Sequence, residues 1–162
     1  MPVAIFDLDG VLYRGSLVLP YAHEALARLR AAGWNVFFAT NNSSRTRDDY
    51  VARLAALGLG GDRDHVINSA YATAQHLAGR ARPPQDVLVV GADGLRNELR
   101  AVGIGVRAAA DLPGTHPPAR AAADGVDPGA MTEYLTHLTG LPPVPDAVVV
   151  GLDLHLTYAR LA

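Results

Sequence analysis

The chain has 162 residues, enough for one globular domain with a packed core, or one domain and part of a second. Apolar residues make up 49% and charged residues 19%, which fits a soluble folded protein and argues against an intrinsically disordered one. Its 14 basic and 16 acidic side chains are mixed along the chain with no basic stripe, so no nucleic-acid partner is expected, and the lack of cysteine excludes disulfides, thiolate catalysis and cysteine-ligated zinc.

Residues 3–8 are a short apolar run ending in acids, which predicts a strand buried on both faces. No cationic region precedes that run and no apolar stretch is long enough for a bilayer, so neither a secretory signal nor a membrane partner is expected, and the default is a cytoplasmic enzyme. Pro20 opens a helical pattern carried by Ala22, Ala25, Leu26 and Leu29 and stopped by Gly33. Residues 34–39 predict a second strand. Thr46 can cap a helix lined by Val51, Leu54 and Leu57 and ended by Gly58. Residues 66–68 predict a third strand, and Ser69 can cap a helix running to about Leu77. The pattern β-α-β-α-β-α with short connections predicts an α/β fold with a parallel sheet, whose strand C-termini share one edge. Trp34 and Tyr50 are expected in the core.

Residues 79–85, rich in Gly, Arg and Pro, read as a linker. A second β-α-β comes next, with strands over 87–90 and 105–107 and a helix from about Leu95 to Ala101. Residues 108–129 read as loop and 131–138 as a weak helix. Residues 147–150 predict a last strand, and a further helix is expected from Thr157.

The sharpest signal is Asp7-Leu8-Asp9-Gly10-Val11-Leu12-Tyr13 directly after the first strand. Carboxylates at i and i+2 leave a strand end on the same side. Two like charges that close repel, and a Mg²⁺ ion answers this because it takes hard oxygen ligands and bridges to phosphate. One carboxylate can attack phosphorus while the other protonates the leaving oxygen and later activates water. Gly10 lets the backbone turn and bring its amides near the phosphate. A pair of solvated turn carboxylates is the rival reading; the apolar run before the acids and Val-Leu-Tyr after them favour chemistry. The second signal, Thr40-Asn41-Asn42-Ser43-Ser44-Arg45, ends the second strand beside the first. Thr40 supplies a hydroxyl, and Asn41 backbone and amide donors, for phosphate oxygens.

These segments together resemble the haloacid dehalogenase-like hydrolases, and within them the type-IIA branch that includes 4-nitrophenylphosphatases and phosphoglycolate phosphatases. Asn68-Ser69-Ala70, Val90-Gly91, and Val148-Val149-Val150-Gly151-Leu152-Asp153 add to the likeness. The resemblance implies a Rossmann-like three-layer core over residues 1–78 and part of an inserted α/β cap over 79–162, which closes on the site as a lid. It implies that Asp7 is the nucleophile and a Mg²⁺ ligand, and that Asp9 is the general acid/base with its backbone carbonyl on the metal. Thr40 and Asn41 would hold phosphate, and Asn42 would set the neighbouring loop. The implied substrate is a small phosphorylated metabolite. The family also uses a later lysine and a later Gly-Asp carboxylate, whereas all 14 basic residues here are arginine. The chain is therefore expected to lack the C-terminal part of the core and to have little or no phosphatase activity. A non-catalytic protein that binds a phosphorylated ligand or a partner is the alternative. An incomplete sheet also exposes edges, which points to a homodimer or poor solubility.

Overall fold

The structure, a computed structural model, describes residues 1–111 and 144–156. The helices expected over 131–138 and from Thr157, and most of the loop expected over 108–129, lie outside the described residues.

Strand β1 (Val3–Asp7) is followed by a turn on Gly10, whose φ of +85° favours glycine. The chain then enters a small hairpin, β2 (Tyr13–Arg14) with β3 (Leu17–Val18), which the sequence did not announce. Two-residue strands carry no readable alternation. Burial of Leu12 and Tyr13 holds this hairpin against the body of the protein. Helix α1 (Ala22–Ala31) buries Ala22 and Leu26, and the chain leaves it through Gly33 at φ +78°. Strand β4 (Asn35–Thr40) is next, one residue later than its predicted start.

Helix α2 (Arg47–Ala56) begins with a capping box, as Thr46 allows. The Thr46 hydroxyl accepts the Asp49 N–H at 3.2 Å, and an Asp49 carboxylate oxygen accepts the Thr46 N–H at 2.9 Å. The bond from the Thr46 hydroxyl, then that from its backbone, hold the Asp49 carboxyl below its ordinary range. This contribution is present at neutral pH and is lost as acid protonates Asp49. Strand β5 (Val66–Asn68) runs directly into α3 (Ser69–Ala78). The cap of α3 is Asn68, not Ser69. Asn68 still has the extended backbone of a cap, and its Oδ1 accepts the Tyr71 N–H at 2.7 Å. Ser69 is already helical, and its hydroxyl turns elsewhere.

Strand β6 (Asp86–Val90), helix α4 (Asp93–Ala101), strand β7 (Gly105–Ala108) and strand β8 (Ala147–Val150) complete the described residues, with short 3₁₀ turns over Arg63–His65 and Ala109–Asp111. Two parallel three-stranded sheets result, ordered β1-β4-β5 and β7-β6-β8. The fold is α/β, as the alternation of elements predicts.

Two apolar clusters hold the sheets. The first gathers Leu8, Leu12, Tyr13, Leu26, Phe38 and Leu54, so α1 and α2 cover one face of the first sheet. The second joins Val87, Val89, Leu95 and Leu99 to Ala70, Ala74 and Leu77 of α3. Helix α3 thus precedes the 79–85 linker in sequence but packs with β6 and α4 on its far side.

Two further sequence expectations, both about burial, need correction. β1 is not buried on both faces: Ile5 is 65% exposed and Val3 51%. Among the described residues β1 is a sheet edge, paired only with β4, and the face bearing Val3, Ile5 and Ile67 has no helix on it. Trp34 is not a core residue. It is 39% exposed and lines a surface cavity with Arg30, Gly61 and His65, because it precedes β4 at the end where the sheet opens to solvent. Tyr50 does sit in the core.

Candidate active site

Adjacent parallel pairing of β1 with β4 places Asp7 beside Ala39, so Asp7 and the segment from Thr40 emerge at the same sheet edge. Ligands of open α/β sheets bind at that carboxyl edge. A cleft of about 480 Å³ there is lined by Asp7, Thr40, Asn41, Asn68 and Ser69. Asp9 and Asn42 line a second, smaller cleft of about 150 Å³ with Tyr13, Arg45, Tyr50 and Arg53. Of the six residues singled out in the sequence, Asp7, Thr40 and Asn41 therefore line the first cleft, Asp9 and Asn42 the second, and Gly10 lines neither. The chain turns at Gly10, and Leu8, fully buried, separates the two acids. The Gly10 N–H donates to the Tyr13 carbonyl at 2.8 Å. That amide is engaged in the turn over residues 10–13, so Gly10 contributes the turn rather than a free donor.

Asp7 and Asp9 are both exposed. One Asp7 oxygen accepts the Leu8 N–H at 2.8 Å, and among the described residues no side chain pairs with either acid. Two carboxylates without a paired side chain suit Mg²⁺, which is commonly held by one or two carboxylates, waters and substrate phosphate rather than a full protein cage. The donor set fits on that ground. Among the described residues, no group of three or more His, Asp and Glu side chains comes together, so no third protein carboxylate joins these two. Asp93 and Asp153 line a different cleft with His155. Beside Asp9, burial raises the Tyr13 phenol above its ordinary range, and the Asp9 charge raises it further. Tyr13 thus stays protonated at neutral pH.

The loop after β4 is held at nearly every residue. Thr40 Oγ1 accepts the Asn42 N–H at 3.3 Å, and Asn42 Oδ1 accepts the Ser44 N–H at 2.9 Å, a turn that makes Asn42 a local organiser. Ser69 Oγ donates to the Asn41 carbonyl at 2.7 Å, and Asn68 Nδ2 to the Arg45 carbonyl at 2.8 Å. Sequence reasoning put the end of the third strand at this edge but gave Asn68 and Ser69 no part in holding the loop. The signal was available: Asn68-Ser69 ends the third parallel strand as Thr40-Asn41 ends the second, and β5 pairs with β4 through Asn68 and Thr40.

The class so defined is a parallel α/β protein with carboxylate, hydroxyl and amide groups gathered at one sheet edge. The chain belongs to the haloacid dehalogenase-like hydrolases, whose family profile matches residues 4–105. It is 40% identical to mouse (Mus musculus) chronophin over 92% of this chain and 52% of that protein. It is 38% identical to human (Homo sapiens) glycerol-3-phosphate phosphatase over 97% of this chain and 47% of that protein. Among solved structures it resembles the glycerol phosphate phosphatase of Mycobacterium tuberculosis in complex with magnesium, with a TM-score of 0.66 and 29% identity over 98% of this chain and 38% of that one. The chain spans about half the length of the curated relatives it matches. Among the described residues, no helix is long and apolar enough to cross a membrane.

Proposed function

We propose that this chain carries the nucleophile-bearing part of a Mg²⁺-dependent phosphate-monoester hydrolase acting on a small phosphorylated metabolite. The observation that carries this reading is Asp7 and the Thr40–Asn41 pair lining one cleft at the carboxyl edge of two adjacent parallel strands. Asp7 attacks phosphorus in line through its free oxygen, and the bond from phosphorus to the ester oxygen breaks. Asp9 gives that oxygen a proton, then takes one from the water that attacks the aspartyl-phosphate, which releases inorganic phosphate and regenerates Asp7. Thr40 and Asn41 donate to the phosphoryl oxygens, and Asn42 keeps their loop in shape. Asp7 and Asp9 would hold Mg²⁺, which would supply positive charge against the phosphate when bound. Residues 1–78 form part of the catalytic core and 79–162 part of a cap, with α3 as the shared element between them.

Fluoride NMR of a beryllium trifluoride adduct tests the nucleophile without requiring turnover. The adduct is expected in wild type only with Mg²⁺ and is expected to vanish in Asp7→Asn, with Mg²⁺ affinity lowered about tenfold or more. An undiminished adduct in that variant would remove Asp7 from the role. The sequence has no lysine, so phosphate release by this chain is expected to be slow or absent. Phosphate binding without an adduct or hydrolysis would instead favour a non-catalytic phosphate-binding role.

The face bearing Val3, Ile5 and Ile67, uncovered among the described residues, supports self-association as a homodimer. A monomer at all concentrations in size-exclusion chromatography would remove that part.

A further inference from the structure

We infer that Glu98 is a positioning residue: from helix α4 its buried carboxylate caps the start of α2 and thereby fixes the loop 41–46. This rests on the phosphate-gripping role proposed above for Thr40 and Asn41.

Glu98 is 3% exposed. An ionised carboxylate is costly to bury unless hydrogen-bonded and paired. Here both conditions are met from across the chain. Glu98 Oε1 accepts the Arg47 N–H at 2.8 Å, and Glu98 Oε2 lies 4.0 Å from Arg47 Nε. Arg47 is the first residue of α2, so the carboxylate also sits at the positive end of that helix. The Arg47 side chain is itself buried. Its guanidinium stacks over the Tyr71 ring at 3.5 Å, and its Nη1 donates to the Arg63 carbonyl at 3.3 Å.

Thr46 cannot make this bond redundant. Its hydroxyl reaches the Asp49 N–H, two residues further into the helix. The Arg47 N–H is a separate orphan donor of the helix start, and Glu98 satisfies it from outside. Two more contacts join the same loop to the second sheet. The Gly94 N–H donates to the Ser44 carbonyl at 3.2 Å, and the Leu152 N–H to Ser43 Oγ at 3.0 Å. The second sheet and α4 therefore grip the loop at Ser43, Ser44 and Arg47. Of the three grips only Glu98 carries charge, and a charge-assisted bond is the stronger kind. A cap region anchored here sets the shape of the phosphate loop rather than merely covering it.

The test compares wild type, Glu98→Ala and Glu98→Gln by NMR-resolved amide exchange and by titration with inorganic phosphate in Mg²⁺. In Glu98→Ala, protection of amides 42–47 is expected to fall about tenfold, the scale of a lost helix cap, while Val87 and Val89 keep theirs. Phosphate affinity is expected to fall by a similar factor. Glu98→Gln, whose amide oxygen still accepts the Arg47 N–H, is expected to restore most of both. Unchanged protection over 42–47 in Glu98→Ala would overturn the inference. So would a uniform loss over all amides that Glu98→Gln does not relieve, since that is the mark of bulk stability alone. If wild type binds no phosphate, the phosphate-gripping reading fails, and the exchange pattern still decides whether Glu98 fixes the loop.

Discussion

Gly94→Ala is expected to destabilise the protein by about 2 kcal/mol and to lower its Tm by roughly 4–8 °C. A methyl group on Gly94 would lie 2.5 Å from the carbonyl carbons of Ser44 and Arg45. Those atoms are backbone, so they cannot swing aside as a side-chain tip does. Two effects oppose each other here. Alanine is favoured over glycine inside a helix by about 1 kcal/mol. Overpacking against an immovable neighbour costs up to about 3 kcal/mol and occasionally more. The clash should win, because relief requires α4 to move away from the loop, which breaks the bond from Gly94 to Ser44 and strains that from Glu98 to Arg47. Thermal melting by circular dichroism checks the size of the effect. A variant as stable as wild type, or more so, would mean that α4 and the loop are not in backbone contact.

Phe38→Ala is expected to cost about 3–5 kcal/mol, the largest loss anticipated for any single side chain here. Phe38 is fully buried on the middle strand of the first sheet, amid Leu8, Leu54 and Val66. Its ring also packs closely on Gly61, a position that leaves no room for a Cβ. The cavity left by truncation is bounded by a strand and by the fixed turn at Gly61, so collapse can fill little of it. Trp34, the one tryptophan, reports on the first sheet by fluorescence, while circular dichroism reports on both sheets. The two urea transitions are expected to shift together, since α3 and the Glu98 contact join the clusters. A loss below about 1 kcal/mol, or a fluorescence transition that separates from the dichroism, would contradict this packing.

Much of the fold was legible because its signals are local. The runs over 3–8, 34–39 and 66–68 and the helices between them are set by apolar spacing and by Gly33 and Gly58 as stops. Thr46 as a cap and residues 79–85 as a connection depend on chemistry within a few residues. The hairpin at Tyr13 was not legible, because two-residue strands show no alternation and are held by burial alone. The burial of β1 was misjudged for a related reason. An apolar run states that a strand can be covered, not that something covers it.

The candidate site divides along the same line. Local pattern was enough to place Asp7, Asp9, Thr40, Asn41 and Asn42 at or just past the strand ends, each by its position after an apolar run. Packing of distant segments set how those groups are shared between clefts, that Gly10 spends its amide on the Tyr13 carbonyl, and that Asn68, Ser69 and Glu98 hold the loop. The physical reason is range. Strand and helix preferences act over a few residues, whereas the bond from Glu98 to Arg47 spans 51 positions and exists only once both sheets have packed.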